Sequence, residues 1–197
     1  AGLGFLDSSI KIINIKSKKI EASFIGHSGG VVSLFFTIDN KYLLSTGGFF
    51  KDPTIRIWDY KLKRLIKESR DYRATAFSIN ASPSNSNFAT GSGYAGDNSV
   101  LVWDINTFEI VKRLRKHTED VRCVKYSKDG KYIFSADTSG ILIVWNVKTQ
   151  EIVKRLKAHR SEIYALAVSP DGNFLASSGA DKEIHIWNVK KMINTGI

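Results

Sequence analysis

Residues 159–189 read HRSEIYALAVSPDGNFLASSGADKEIHIWNV. Apolar positions gather in three short runs, 163–168, 173–177 and 184–187, each of strand length. Turn formers separate them: Ser169, Pro170, Asp171 and Gly172 first, then Gly179, Ala180 and Asp181. Short apolar runs bounded by such clusters predict strands joined by tight turns. The same text recurs three times upstream. Copies of one such unit bury their apolar faces by stacking on each other, so the repeat predicts the architecture of the whole chain.

Four tryptophans mark the period. Trp58, Trp103, Trp145 and Trp187 are separated by 45, 42 and 42 residues. They are followed by Asp59, Asp104, Asn146 and Asn188. Asparagine keeps the size and the acceptor oxygen of aspartate. Three units open on a histidine: Gly26-His27, Lys116-His117 and Ala158-His159. A period of about 40–45 residues that closes on Trp-Asp marks propeller blades. On these residues the chain resembles the WD-repeat family, and the resemblance covers nearly all of it. It implies an all-β WD-repeat β-propeller of four-stranded antiparallel blades. About four repeats are expected, near 26–68, 69–115, 116–157 and 158–190, after a partial repeat over 1–25. Together they form a single propeller region over 1–197.

The partial repeat sets the phase. Residues 7–14 align with 181–188, and Ile13 takes the tryptophan place. The chain is therefore expected to enter near the end of a second strand. It is expected to finish after the third strand of its last unit. That phase leaves a surplus third strand near 10–15. It predicts part of a larger propeller, completed by upstream sequence or by another chain. An incomplete ring leaves sheet edges unpaired.

Candidate chemistry is repetitive too. His159, Ser177, Asp181 and Trp187 recur in the first full repeat as His27, Ser45, Asp52 and Trp58. Ser, His and Asp together suggest nucleophilic catalysis. A catalytic triad has no reason to recur once per blade. The resemblance instead makes these sets structural tetrads, with no catalytic residue among them. The second repeat lacks its histidine, since the position falls near Tyr72. Asp52, Asp97 and Asp181 each lie six residues before a tryptophan, whereas the third repeat has Ser139 there and Asp137 eight before. His185 matches Arg56, Leu101 and Ile143 in the other repeats, which suits packing. No Cys/His spacing suits zinc, and the glycines fall at strand turns rather than before a helix. Neither a metal nor a cofactor is expected.

Two loops and one charge pattern carry the functional candidates. Ser177 and Asp181 are four residues apart, but Ser45–Asp52 and Thr90–Asp97 each span seven. These longer turns bring in Phe49, Phe50, Lys51 and Tyr94. The resemblance places such turns on the top face near the central channel. Aromatics in loops on a rigid scaffold suit partner binding. The formal net charge of +10 clusters after each Trp-Asp/Asn, at Lys112, Arg113, Arg115, Lys154, Arg155 and Lys157 among others. This basic outer rim blocks edge-to-edge strand pairing and also suits nucleic acid or another anionic partner.

One cysteine, Cys123, excludes an internal disulfide. No apolar run reaches the ~18–20 residues of a membrane helix. The first ten residues lack the basic start and apolar centre of a secretory signal. An intracellular setting is expected, with cytoplasm and nucleus undistinguished. Three functions stay open. The first is a non-catalytic scaffold in a multiprotein complex, binding proteins or peptides through top-face loops and rim. The second is an RNA-associated or ribosome-assembly subunit using the basic rim. The third is a targeting or regulatory module of a larger enzyme.

Overall fold

The computed structural model describes residues 2–4, 8–48, 52–69, 75–84, 86–93 and 97–194. Their strands fall into five antiparallel sheets, each a simple meander. The first sheet holds β1 (Gly2–Gly4), β2 (Ser9–Ile13) and β3 (Ile20–Ile25). The second holds β4 (Val31–Phe36), β5 (Tyr42–Gly47), β6 (Ile55–Asp59) and β7 (Arg64–Ser69). The third holds β8 (Thr75–Ala81), β9 (Asn87–Gly93), β10 (Ser99–Asp104) and β11 (Ile110–Arg115). The fourth holds β12 (Val121–Tyr126), β13 (Tyr132–Asp137), β14 (Ile141–Asn146) and β15 (Ile152–Lys157). The fifth holds β16 (Ile163–Val168), β17 (Phe174–Gly179) and β18 (Ile184–Asn188), followed by helix α1 (Val189–Asn194).

Strand alternation builds the stack. Successive side chains leave a strand on opposite faces, so each sheet has one face for each neighbour. Ile10 and Ile12 of β2 meet Leu43 and Trp58 of the second sheet. Ile55 and Ile57 of β6 meet Ile79, Phe88 and Trp103 of the third. Val100 and Val102 of β10 meet Val124, Ile133 and Trp145 of the fourth. Leu142 and Val144 of β14 meet Ile163, Leu166 and Leu175 of the fifth. Burying one such side chain is worth about 1.5–3 kcal/mol, against about 1 kcal/mol net for a neutral hydrogen bond. The interfaces between sheets therefore dominate the stability of the stack.

The innermost strands add a polar seam. The Ser33 hydroxyl accepts from the Ile79 N–H at 3.2 Å, and the Ser78 hydroxyl accepts from the Val124 N–H at 3.0 Å. Cys123 holds the same place in β12, and its thiol donates to the Tyr164 carbonyl at 3.0 Å. Burial pushes that thiol up to about 12, so it stays protonated.

The Trp-Asp/Asn endings work through their second residue. Asp104 accepts from the N–H groups of Asn106 and Thr107, and Asn146 from those of Lys148 and Thr149, at 2.8–3.1 Å. Asn14 does the same with the N–H groups of Lys16 and Ser17, and Asp59 accepts from that of Leu62. The fourth residue after each, Lys18, Lys63, Phe108 or Gln150, sits at φ of 53–64°, which closes the turn onto the outer strand. Only an acceptor oxygen is needed there, which explains why asparagine serves.

The sheets form an arc rather than a closed ring: among the described residues the first and fifth sheets share no strand pairing. Ile184 and Ile186 occupy the repeat positions of Leu142 and Val144, yet they are 74% and 63% exposed where the latter pair are at 0%. After β18 the chain forms α1 in place of a fourth strand. The Asn188 side chain accepts from the Lys191 N–H at 2.9 Å, an N-cap, and Val189 and Met192 share the buried face.

Candidate functional site

Three inner strands, β4, β12 and β16, open beside His27, His117 and His159, and the turns from second to third strand return to the same end. Polar side chains from both therefore converge there. In the second sheet the Trp58 indole donates to Ser45 Oγ at 2.8 Å, with His27 Nε2 at 2.7 Å from that oxygen and His27 Nδ1 at 2.7 Å from Asp52. An indole only donates and a carboxylate only accepts. The serine proton therefore goes to Nε2, and Nδ1–H donates to Asp52. The fifth sheet repeats the set: Trp187 to Ser177 at 3.0 Å, Ser177 to His159 at 2.8 Å, and His159 to Asp181 at 2.9 Å. All eight residues expected to form tetrads are thus brought together.

A third complete set is present in the fourth sheet, where the spacing from tryptophan does not predict one. Trp145 donates to Ser135 at 2.7 Å, His117 Nε2 lies 2.7 Å from Ser135, and Nδ1 lies 2.6 Å from Asp137. Asp137 is two residues beyond Ser135 on β13, so both side chains leave the same face. In the fifth sheet that place is Gly179, where a Cβ would lie 2.9 Å from His159 Nδ1 and 3.0 Å from Asp181. Gly47 holds the place in the second sheet, and a Cβ there would lie 2.6 Å from the Asp52 side chain. The carboxylate arrives either from the strand or from the turn, and glycine keeps its space free in the second case. Ser139, at the turn position, donates its hydroxyl to Asp137 at 2.7 Å.

The third sheet keeps half of the set. Trp103 donates to Thr90 at 3.0 Å. Its carboxylate, Asp97, faces outward, accepting from Ser99 Oγ at 2.5 Å and pairing with Arg113 of the outer strand.

In the second-sheet tetrad, electrostatics favour a neutral His27 imidazole beside an ionised Asp52 carboxylate. Burial pushes His27 down, and the Arg56 guanidinium adds to this against the pull of Asp52. Burial alone would raise Asp52, but bonds from Thr54 and His27 outweigh it and hold the carboxyl below its usual range. Asp137 behaves likewise: burial opposes the bonds from His117, Ser139 and the Ile141 N–H, and the bonds prevail. At Asp181 the penalty of burial is overcome by His159 and the N–H groups of Arg160 and Glu183, which bring it to about 2. The three serine hydroxyls at the centre, Ser45, Ser135 and Ser177, are at most 1% exposed.

The same end carries a concave mouth. Each inner strand has a bulge after its first or second residue, and the bulged residues are Val32, Phe77, Arg122 and Tyr164. With Glu162 they line a hollow of about 330 Å³. The Arg122 guanidinium lies 4.0 Å over the Phe77 ring and pairs with Glu162 at 2.7 Å. Tyr164 is 60% exposed. The expected partner-binding residues Phe49, Phe50, Lys51 and Tyr94 lie outside the described residues. Their connections, β5 to β6 and β9 to β10, leave from this end.

The basic rim is less available than its sequence suggests. Arg113 pairs with Asp97, the Lys112 ammonium donates to the Val147 carbonyl, and that of Lys157 donates to the Ser139 carbonyl. Arg115 and Arg155 are exposed, and Lys154 is half-buried. His185 stacks on Trp187 with ring centres 5.6 Å apart, as expected of a packing residue, and lies 2.9 Å from Glu183. Among the described residues no cluster of three or more His, Cys, Asp or Glu could hold a metal, and no helix is long and apolar enough to cross a membrane.

The WD domain, G-beta repeat, family model matches residues 18–59, 68–104, 108–146 and 150–188. The chain belongs to the WD-repeat family. Each match begins in or just before the outer strand of one sheet, or the turn leading to it, and ends on the third strand of the next. One sequence unit therefore ties two neighbouring sheets together. No curated protein matches the chain. WD repeats in general build protein-interaction scaffolds.

Proposed function

We propose that this chain is a non-catalytic interaction scaffold within a multiprotein complex, and that it receives a protein or peptide at the end bearing the tetrads. The observation that carries this reading is the mouth formed by Val32, Phe77, Arg122 and Tyr164. It combines a concave shape, an exposed tyrosine and an arginine held over an aromatic ring. Tyrosine and arginine are the residue types that dominate binding energy at protein interfaces. The tetrads act as mortar in this reading. Each central hydroxyl is buried and already accepts an indole N–H, so it is poorly placed to attack a substrate. Phe49, Phe50, Lys51 and Tyr94 would extend the same surface.

A second reading uses Arg115, Arg155 and their neighbours as a nucleic-acid rim. The net charge favours it, while the internal pairing of Arg113, Lys112 and Lys157 weakens it. Affinity capture from cells with and without nuclease separates the two. The scaffold reading expects proteins captured in both conditions and lost with Tyr164→Ala plus Arg122→Ala. Capture that disappears with nuclease, or with Arg115→Glu plus Arg155→Glu alone, favours the rim and overturns the first reading.

A further inference from the structure

The opposite end of the inner strands holds a second cavity, of about 410 Å³. Phe35, Lys125, Ala167 and Pro170 line it, with Ile38 and Lys128 at its mouth. We propose that this cavity receives an acidic side chain, carried beside apolar residues on a segment of a partner protein, with Lys125 as its counter-charge. The proposal rests on the scaffold reading but concerns a different end of the molecule.

Lys125 occupies the inner-strand position filled by Phe35, Asn80 and Ala167 in the neighbouring sheets. None of these supplies a carboxylate. The ammonium stands 5.7 Å from the centre of the Phe35 ring and makes no ion pair or hydrogen bond among the described residues. The side-chain amide oxygen of the neighbouring Asn80 accepts from the Tyr126 N–H at 2.8 Å. Burial pushes the Lys125 amine down, and no carboxylate opposes it. The aspartates at this end are turned into their own turns. Asp39 accepts from Thr37, Asp129 from Ser127 and Asp171 from Ser169, each hydroxyl at 2.5–2.6 Å. Lysines elsewhere, such as Lys112 and Lys157, reach backbone carbonyls instead. Lys125 is thus a half-buried cation with three donors and no anion.

The surroundings select the type of anion. A half-desolvated single charge suits a carboxylate better than a phosphate, whose second charge costs more to remove from water. Phosphate sites favour the forked donors of arginine, and none lines this cavity. The walls are mainly apolar, and Ile38 is 58% exposed at the mouth, so an apolar neighbour of the acidic residue has a surface to cover. Lys128 is exposed beside it and adds attraction for an acidic segment.

The test uses a fluorescein-labelled peptide, Ala-Leu-Glu-Phe-Ala-Ala, and its counterpart with Gln in place of Glu, read by anisotropy. The Glu peptide is expected to bind at least tenfold tighter to the full chain. That preference should vanish in Lys125→Met, which keeps the volume and removes the charge, and in Lys125→Gln. It should persist in Arg115→Glu plus Arg155→Glu. Equal binding of the two peptides overturns the proposal. So does a preference that survives both Lys125 variants, or one that follows the outer-strand charges. Melting curves of each variant confirm that folded proteins are compared. Tyr164→Ala should leave the preference unchanged, so failure of this inference is distinguishable from failure of the scaffold reading.

Discussion

Asp137 and Asp181 reach equivalent histidines from different backbone positions, and the residue two places after the serine decides which is possible. Where that residue is glycine, the turn carboxylate fills the gap; where it is aspartate, the turn position passes to serine. Exchanging the two solutions is a direct test. Asp181→Ser alone should lower the melting temperature, because His159 and two backbone N–H groups lose their acceptor. Gly179→Asp combined with Asp181→Ser should recover part of it, by rebuilding the arrangement of the fourth sheet, with the remainder lost to the new Cβ meeting the Glu162 carbonyl at 2.9 Å. A double variant no more stable than the single one would contradict the account. Acid should act on the same groups. The depressed carboxyls stabilise the fold fully above pH ~4, and that contribution is lost as pH falls toward the value of about 2 at Asp181. His27 is also depressed, so its contribution is present above ~6.5 and declines as pH drops through its folded value. Denaturant midpoints measured from pH 7 to 3 should fall first through the His27 step and then through the carboxyl step, and His27→Gln should remove the earlier decline.

At the scale of elements, the third strands of the fourth and fifth sheets are chemically similar but differently covered. Leu142→Ala should cost about 2–5 kcal/mol, since it empties a filled interface, whereas Ile184→Ala at the matching position should change stability little. Equal losses at both positions in urea titrations would mean that the outer face of the fifth sheet is covered in solution. The strands and turns were legible because tryptophan spacing and turn residues repeat. Asp137 was not, because its position was counted back from Trp145, while the relation that matters is its alternation with Ser135 on one strand. Helix α1 was missed for a similar reason. Asn188 closes a repeat by spacing but also caps a helix, with Val189 and Met192 three apart on its buried face. The pairing of Arg113 with Asp97 links different strands, so the sequence shows the charge of the rim and not its internal use.

On the scale of the whole molecule, the arc presents two ends of different chemistry. One gathers the tetrads and the mouth of Val32, Phe77, Arg122 and Tyr164. The other holds Lys125 in a mainly apolar cavity. The outer strands β7, β11 and β15 carry Arg64, Lys67, Lys112, Arg113, Arg115, Lys154, Arg155 and Lys157 between them. Family membership accounts for a rigid platform, and the mouth suggests where a partner lands. Hydrogen–deuterium exchange on the chain, with and without a partner protein obtained by capture, tests this most directly. The account predicts new protection at the starts of β4, β8, β12 and β16, around Val32, Phe77, Arg122 and Tyr164. Protection confined to the outer strands β7, β11 and β15 would contradict it.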